Sequence, residues 1–426
     1  FQQRKTKILF PIFAFGITNL LYGQSLDKGV LNWYNGKAGM ETEAAYKLLK
    51  KRKSNSVVVA VIDSGIDIEH KDLEGKIWVN SDEIPNNGVD DDKNGYIDDV
   101  NGWNFLGNAN GENVNEACLE KTRILRDLSK KFDGIDPETL SATEKEEYAL
   151  YEKVKGEVQA EYTNYSSYLE QMDMITMMID QVPVMVGTTI GKTDYTLKDL
   201  EKWNPTEEQM IQLKDFAIAI EKGEVTKEIM AEQKTQLEQM VNYNLNVEFD
   251  DRAVIGDNPH DFTDTKYGNN NVEGPEALHG THVGGIIGAI RGNNLGGDGV
   301  ADNVKLMVLR AVPNGDEQDK DIALSIRYAV DNGAQVINMS FGKAYSVHQK
   351  EVYEAFKYAD SKGVLLVHAA GNDNANIDTD PNYPTSLYSF QTKPLDMFIT
   401  IGASTRMTTD KLAATFSNYG QTKVDV

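Results

Sequence analysis

Two titratable side chains in this sequence stand where proton-transfer chemistry can be built. His279 lies shortly before the apolar, small-residue segment 286–290, which predicts a buried helix. A histidine at the start of such a helix is held by the surrounding backbone, as a general base must be. Asp63 ends the apolar run 56–62, and the carboxyl ends of buried parallel strands are where open α/β sheets place their chemistry. Each residue also has an ordinary explanation, His279 as a core histidine and Asp63 as a turn cap.

A third group of polar residues has the spacing of a cation-binding loop. Asp90, Asp92, Asn94 and Asp98, together with the carbonyl of Tyr96, follow the alternation of oxygen ligands in an EF-hand-like calcium loop. The closing bidentate glutamate of an EF-hand is missing, and a solvated acidic turn is the alternative. Because carboxylates crowded together repel unless a cation neutralises them, we expect a calcium ion here.

The elements that must position these residues alternate between strands and helices. Apolar, β-branched runs predict the strands, and helical spacing of apolar residues predicts the helices between them. The predicted strands are 56–62, 304–312, 335–340, 364–367 and 397–402. This order is typical of an α/β fold, a doubly wound parallel sheet with right-handed crossovers.

The alternation is interrupted between residues 106 and 246, where the sequence becomes polar and helical. Capping boxes at 141–144 and 206–209 predict helix starts, and an apolar seam over 151–175 predicts one long helix. Pro183 and the stretch 187–192 are expected to break the helices. The block therefore reads as an all-helical insertion.

Composition narrows the function classes. The chain has 426 residues, of which 40% are apolar and 26% charged, as in ordinary globular proteins. Its formal net charge of −23 argues against a nucleic-acid partner, because phosphate binding needs clustered Lys and Arg. Cys118 is the only cysteine, which excludes an intrachain disulfide and a thiolate metal cluster.

The N-terminal segment resembles a secretory signal. Arg4, Lys5 and Lys7 precede an apolar run, 8–21, that is too short for a confident membrane span. We therefore expect an exported protein of the periplasm, cell envelope or extracellular space, with no stable membrane span after signal removal. The predicted division is a signal peptide at 1–23, a catalytic domain at 24–105 and 247–426, and the helical insertion at 106–246.

Four motifs in order resemble the subtilisin-like serine proteases, or subtilases. Asp63 lies in Val-Ile-Asp-Ser-Gly-Ile-Asp and His279 in His-Gly-Thr-His-Val. Ala-Ala-Gly-Asn at 369–372 and Asn-Met-Ser-Phe-Gly at 338–342 follow in the family's chain order. The resemblance covers roughly 56–105 and 247–426. It implies a serine endopeptidase that acts on polypeptides and contains structural calcium.

The resemblance also implies residue roles. Asp63 would orient the imidazole, His279 would be the general base, and Asn372 would donate a hydrogen bond to the developing oxyanion. The segment Ser340, Phe341 and Gly342 would pair with an extended peptide as an added strand. Two further positions, Asp72 and Asn293, match a subtilase calcium site. The loop 90–98 would then be a second calcium site.

One family motif is absent. No Gly-Thr-Ser-Met-Ala-like nucleophile motif occurs, so we expect the catalytic serine to lie beyond the end of this chain, and the chain as given to be inactive. The alternative is a catalytically inactive subtilase-like scaffold that binds peptides or a protein partner. A zinc hydrolase using His279 and His282 is disfavoured, because their spacing is not that of an HExxH motif.

Overall fold

The computed structural model of the chain describes residues 28–407, 409 and 411–426. The predicted signal segment 1–23 lies outside the described residues. The helices are α1 (Lys28–Leu31), α2 (Thr42–Leu49), α3 (Glu120–Phe132), α4 (Ala142–Ile190), α5 (Leu197–Lys202), α6 (Glu208–Glu221), α7 (Lys227–Gln239), α8 (Leu278–Gly288), α9 (Asp319–Asp331) and α10 (Gln349–Ser361). The strands are β1 (Val57–Asp63), β2 (Gly102–Asn104), β3 (Val304–Arg310), β4 (Val336–Met339), β5 (Leu365–Ala369) and β6 (Phe398–Ile401).

The strands form one parallel sheet of six, in the order β2-β3-β1-β4-β5-β6. The predicted α/β fold with a parallel sheet is confirmed, and the short strand β2 is an addition to it. From β1 the chain passes to β2 and then β3 on one side, and from β4 it passes to β5 and β6 on the other side. Because these connections diverge between β1 and β4, the carboxyl ends of those two strands are the place where a sheet of this topology is expected to bind a ligand.

The central strand β1 is buried on both faces, as its continuous apolar sequence predicts. Ala60 and Ile62 face a core shared with α9 and α10, and Val59 and Val61 face a second core under α8. Side chains alternate between the faces because successive residues of a strand point in opposite directions. The sheet is therefore packed on both sides, and its carboxyl edge is rigidly placed.

Helices α3 to α6 build their own apolar clusters outside the sheet. One cluster joins α3 to the start of α4, and the other joins the end of α4 to α5 and α6. The chain enters and leaves this region at one place, since the backbone N–H of Leu119 donates to the carbonyl of Asn244 at 2.9 Å. Within the described part of the chain, no helix combines the length and apolarity needed to cross a membrane.

Two details of the helix prediction are wrong. Helix α4 continues through Pro183, because Val182 and Val186 on either side of it are buried against α5 and α6. It ends at Ile190, where Gly191 takes a left-handed conformation. Helix α6 begins at Glu208 without the predicted Thr206 cap. The capping box at Ser141 is confirmed, with both of its hydrogen bonds formed.

The packed sheet predicts a local stability effect. Leu366→Ala on β5 removes a fully buried side chain and should lower the free energy of unfolding by about 2–5 kcal/mol, because the cavity cannot collapse completely. Leu48→Ala is the control, since Leu48 is 84% exposed and should change stability by less than about 0.5 kcal/mol. Urea unfolding followed by circular dichroism measures both variants. Equal losses in the two would contradict the described packing.

Candidate active site

The site begins with a hydrogen bond between a buried acid and an exposed base. Asp63 ends β1 and is 2% exposed, whereas the side chain of His279, in the first turn of α8, is 61% exposed. Asp63 Oδ1 accepts the backbone N–H of Ser64 and the Nδ1–H of His279, both at 2.7 Å. The structure thus brings together the two residues that the sequence analysis selected for proton transfer.

Close contact between α8 and the loop after β1 holds this pair. A Cβ atom on Gly280 would lie 2.1 Å from the carbonyl oxygen of Gly65, so only glycine allows the approach. Thr281 Oγ1 accepts the backbone N–H of Asp67 at 2.8 Å. The predicted burial of segment 286–290 is correct only in part: Gly288 and Ala289 are buried and Ile287 packs against the core, but Ile286 is 37% exposed.

The electrostatics of the pair favour the protonated base. The hydrogen bond to Asp63 raises the pKa of His279, and partial burial of the ring opposes this shift. Because Nδ1 carries the hydrogen that Asp63 accepts, the neutral ring keeps its lone pair on Nε2, the nitrogen on the far side from Asp63. The arrangement can accept a proton at Nε2 and stabilise the imidazolium that results.

Arg310, which the sequence motifs did not point to, supports the loop that follows Asp63. Arg310 ends β3, lies in register with Asp63 and is fully buried. Its Nε donates to the carbonyl of Ser64 at 3.0 Å, and one terminal nitrogen donates to Asn104 Oδ1 at 3.1 Å. Burial lowers the pKa of Arg310 to about 10, so the guanidinium stays charged near neutral pH. A single arginine inside the apolar run 306–312 was the signal that could have found it.

Asn372 follows β5 on a loop that is fixed by one buried side chain. Asn372 itself is exposed, and Gly371 before it has φ +102°. Asn418 Nδ2 donates to the carbonyl of Ala370 at 2.9 Å, and Asn418 Oδ1 accepts the N–H groups of Asp373 and Ala375, each at 2.9 Å. Asn418, which the sequence analysis did not select, therefore fixes the backbone on both sides of Asn372.

The segment Ser340, Phe341 and Gly342 leaves the end of β4, next to β1. Asn338 Nδ2 donates to Ser340 Oγ at 2.9 Å. His368 on β5 contacts the carbonyl of Phe341 through Nε2 at 2.8 Å, and burial lowers the pKa of His368 to about 4. His368 is thus neutral at ordinary pH and donates Nε2–H to the carbonyl, which fixes the segment at the same sheet edge as Asp63.

No serine hydroxyl in the described residues forms a hydrogen bond with His279. Ser340 accepts from Asn338, and Ser417 accepts the backbone N–H of Ala403 while donating to the carbonyl of Asn418. Ser64 Oγ is buried without a hydrogen-bond partner among the described residues. The acid and the base are therefore paired with each other, without a described nucleophile.

The acidic loop brings together part of the predicted calcium site. Carboxylate oxygens of Asp90, Asp92 and the buried Glu83 lie within 4.8 Å of one another. Glu83 was missed by the sequence analysis, and burial raises the pKa of its carboxyl group. The other predicted ligands hydrogen-bond within the loop: Asn94 donates to Asp92 at 3.0 Å, and Asp98 accepts the N–H groups of residues 87 and 88.

The second predicted calcium pair is also in contact. Asn293 Nδ2 donates to Asp72 Oδ1 at 2.6 Å, and Asn293 Oδ1 accepts the backbone N–H of Leu295 at 2.9 Å. The backbone carbonyl of Asp72 accepts the N–H of Ile290, just beyond α8. This pair therefore joins the turn after β1 to the loop that follows the His279 helix.

Comparison with known proteins agrees with the family that the motifs suggest. The sequence model of the subtilase family matches residues 54–426. A thermophilic serine proteinase of Bacillus sp. (strain AK1) is 34% identical over 213 residues, 50% of this chain and 46% of that protein. A cell wall-associated protease of Bacillus subtilis (strain 168) is 36% identical over 155 residues, 36% of this chain and 15% of that protein. The chain therefore spans less than half the length of either relative.

Among solved structures, the psychrophilic subtilisin-like protease Apa1 of Pseudoalteromonas sp. AS-11 resembles part of the chain. The two chains are 28% identical where they match, the match covers 35% of this chain and 31% of that protein, and the TM-score is 0.28.

The pair predicts a dependence of the pKa of His279 on Asp63. Asp63→Asn removes the negative charge that stabilises the imidazolium, so the pKa of His279 should fall, as measured by NMR titration of the imidazole Cε1–H. Asp67→Asn is the matched control, because no hydrogen bond joins the Asp67 carboxylate to His279. An unchanged pKa in Asp63→Asn would contradict the described hydrogen bond.

The raised pKa of His279 also predicts how the free energy of unfolding changes with pH. Because folding raises the pKa of His279 above its ordinary value of 6.5, its contribution to stability is full below pH 6.5. That contribution is lost as the pH rises through the raised pKa. Asp63→Asn should therefore flatten the pH dependence of the unfolding free energy in this window.

Proposed function

The chain belongs to the subtilase family, and from this premise we propose that it is part of an exported serine endopeptidase whose catalytic serine lies outside these 426 residues. The observation that carries the proposal is the 2.7 Å hydrogen bond between Asp63 Oδ1 and His279 Nδ1. This pair provides the acid and base of an Asp-His-Ser triad.

The proposed chemistry follows from the orientation of the imidazole. His279 Nε2 accepts the proton of the serine hydroxyl as that oxygen attacks the peptide carbonyl, and the imidazolium later gives the proton to the leaving amine. Asp63 remains ionised and holds the ring in the tautomer that this transfer needs. The raised pKa of His279 supports the role, because the protonated intermediate is stabilised where it forms.

Asn372 is proposed to donate to the oxyanion that develops on the substrate carbonyl. The clamp by Asn418 supports this role, because an oxyanion donor contributes only if it is already in position. Donors of this type are worth about 10²–10³ in rate. Residues 340–342 are proposed to hold the substrate as an added β-strand through backbone hydrogen bonds.

The domain proposal follows the same elements. Residues 24–105 and 247–426 form the catalytic domain, and 106–246 form a helical insertion. The clusters that α3 to α6 build apart from the sheet, and the contact between Leu119 and Asn244, support an insertion with adjacent ends. The predicted signal at 1–23 supports export, and so does the relative named as cell wall-associated.

Calcium is proposed as a structural ion. Glu83, Asp90 and Asp92 fit it chemically, because they offer a cluster of carboxylate oxygens, the ligand type that calcium prefers. When bound, calcium supplies positive charge that offsets the repulsion among these groups. Asp72 and Asn293 are the proposed second site, and their contact at 2.6 Å supports a shared location.

One observation favours the alternative of an inactive scaffold that binds peptides or a partner. Among the described residues, no serine hydroxyl forms a hydrogen bond with His279. The two proposals differ in one property: an enzyme would carry an activated serine in the whole gene product, and an inactive scaffold would not. A chemical probe for activated serines therefore distinguishes them.

A fluorophosphonate probe, which reacts with activated serines, tests the proposal. The whole gene product should be labelled stoichiometrically, and His279→Ala should abolish labelling because the base is removed. The 426-residue chain should stay unlabelled. His260→Ala is the matched control and should leave labelling unchanged.

Two outcomes would change the assignment. Labelling of the 426-residue chain that is lost on His279→Ala would identify a serine within these residues as the nucleophile. Absence of labelling in the whole gene product would favour the inactive scaffold.

Calcium should stabilise the folded chain. At a hundredfold excess over its dissociation constant, a ligand that binds only the folded state contributes about 2.7 kcal/mol, so the melting temperature should rise with calcium and fall with chelator. Asp90→Asn should reduce this shift, and Asp82→Asn should not, since Asp82 is exposed and outside the carboxylate group. Superimposable melting curves with calcium and with chelator would exclude the ion.

A further inference from the structure

The segment proposed to bind substrate continues directly into a residue that is buried against the helical insertion. The side chain of Lys343 is 2% exposed and lies one position beyond Gly342. Its ammonium group is 2.8 Å from Asp319 Oδ1 on α9 and 3.3 Å from Glu120 Oε2 on α3. A buried ammonium is costly unless such partners stay in place, so Lys343 ties the end of the segment to α3.

Arg123 holds α3 against the same part of the catalytic domain. Its guanidinium is buried, pairs with Glu120, and donates to the carbonyl of Glu317 at 3.0 Å. The ammonium of Lys343 donates to that same carbonyl at 2.7 Å. One carbonyl just before α9 thus binds a cation from the insertion and a cation from the substrate-binding side.

Tyr345 forms a second anchor two residues further on. Its hydroxyl donates to the carboxylate of Glu157 on α4, with oxygen distances of 2.9 and 3.0 Å. Lys153, one turn earlier on α4, lies 5.1 Å from the centre of the tyrosine ring. The ring also packs against the apolar cluster of α3 and α4. Helices α3 and α4 therefore bind the chain through hydrogen bonds at both Lys343 and Tyr345.

The opposite side of the segment is held by the sheet and its loops. His368 on β5 binds the carbonyl of Phe341, and the backbone of Lys343 pairs with Tyr383 through hydrogen bonds of 2.9 and 2.8 Å. The proton-transfer pair has separate supports, namely Arg310 on β3 and the contact between Gly280 and Gly65. Helices α3 and α4 thus contact the residues that directly follow the binding segment. Arg310 is bound instead by the carbonyl of Val114, which lies before α3.

We propose that helices α3 and α4 of the insertion are a specificity element that positions segment 340–342 for extended polypeptide. The inference rests on the proposed function insofar as this segment binds substrate. Backbone pairing with a peptide needs a fixed edge, so loosening the anchors weakens binding of extended peptides. The chemical step on a substrate too short to pair with the segment stays unchanged. Glu120, Glu157, Lys343 and Tyr345 act as positioning residues.

Tyr345→Phe tests this proposal with the smallest change, since it removes one hydroxyl and keeps the ring. In the whole gene product it should raise KM for an extended peptide amide about five- to tenfold with kcat nearly unchanged. The kcat/KM for a single-residue ester should stay within about twofold. Glu157→Ala, which removes the partner carboxylate, should give the same pattern. The matched control is Tyr358→Phe, which removes a tyrosine–carboxylate bond to Asp331 away from the insertion.

A second measurement separates this inference from the proposed function. Hydrogen exchange of the amides in 340–345 should be faster in Tyr345→Phe than in the wild type, and unchanged in Tyr358→Phe. If the wild-type protein cleaves neither substrate, the proposed function fails, and fluorescence anisotropy with a labelled extended peptide then replaces KM. Unchanged exchange, unchanged peptide affinity, or an equal loss on peptide and ester would each overturn the specificity role.

Discussion

The burial of one carboxylate constrains the rest of this site. Asp63 is 2% exposed at the end of the central strand, and a buried charge costs several kcal/mol unless hydrogen bonds compensate it. The N–H groups of Ser64 and His279 provide part of that compensation at Oδ1, while Oδ2 is buried without a hydrogen-bond partner among the described residues. Their placement in turn requires α8 to touch the loop after β1, which only a glycine at 280 permits. The requirement to solvate one buried acid therefore fixes the position of the exposed base.

Local patterns were enough to predict five of the six strands, whereas the pairing of Asp63 with His279 came from the resemblance to the subtilases. The apolar run before Asp63 and the small residues after His279 determine their own elements, and parallel strands bring the two elements to one edge. Glu83 was missed because it precedes the alternating ligands by which the loop was recognised. Arg310 was missed because its partners come from distant parts of the sequence. Pro183 was misread for a related reason, since its neighbours are buried by helices that follow later in the chain. Sequence patterns report local geometry well, and they report long-range compensation of charge or strain poorly.

Inserting the helices costs the fold little free energy, and specific polar contacts fix their orientation on the catalytic domain. Leu119 and Asn244 are hydrogen-bonded, so the sheet does not have to deform, and loop closure entropy grows only slowly with length. The docking surface contains buried cations, Arg123 and Lys343, with carboxylate partners on both sides. Such pairs add little net stability compared with apolar packing. A displaced insertion would separate Lys343 from Glu120 and Arg123 from the carbonyl of Glu317, and the loss of these contacts favours one orientation of the helices.

These supporting contacts fall into two groups, one around the end of β1 and the other around the end of β4. On one side, β1, β3 and α8 hold Asp63 and His279 through Arg310 and the glycine contact. On the other side, β4, β5 and the insertion hold 340–345 through His368, Lys343 and Tyr345. No residue named in one set of supports takes part in the other. Substitutions in α3 and α4 can therefore alter the position of residues 340–345 while the acid and the base keep their geometry, because Arg310 binds the carbonyl of Val114, which lies before these helices, and not the helices themselves.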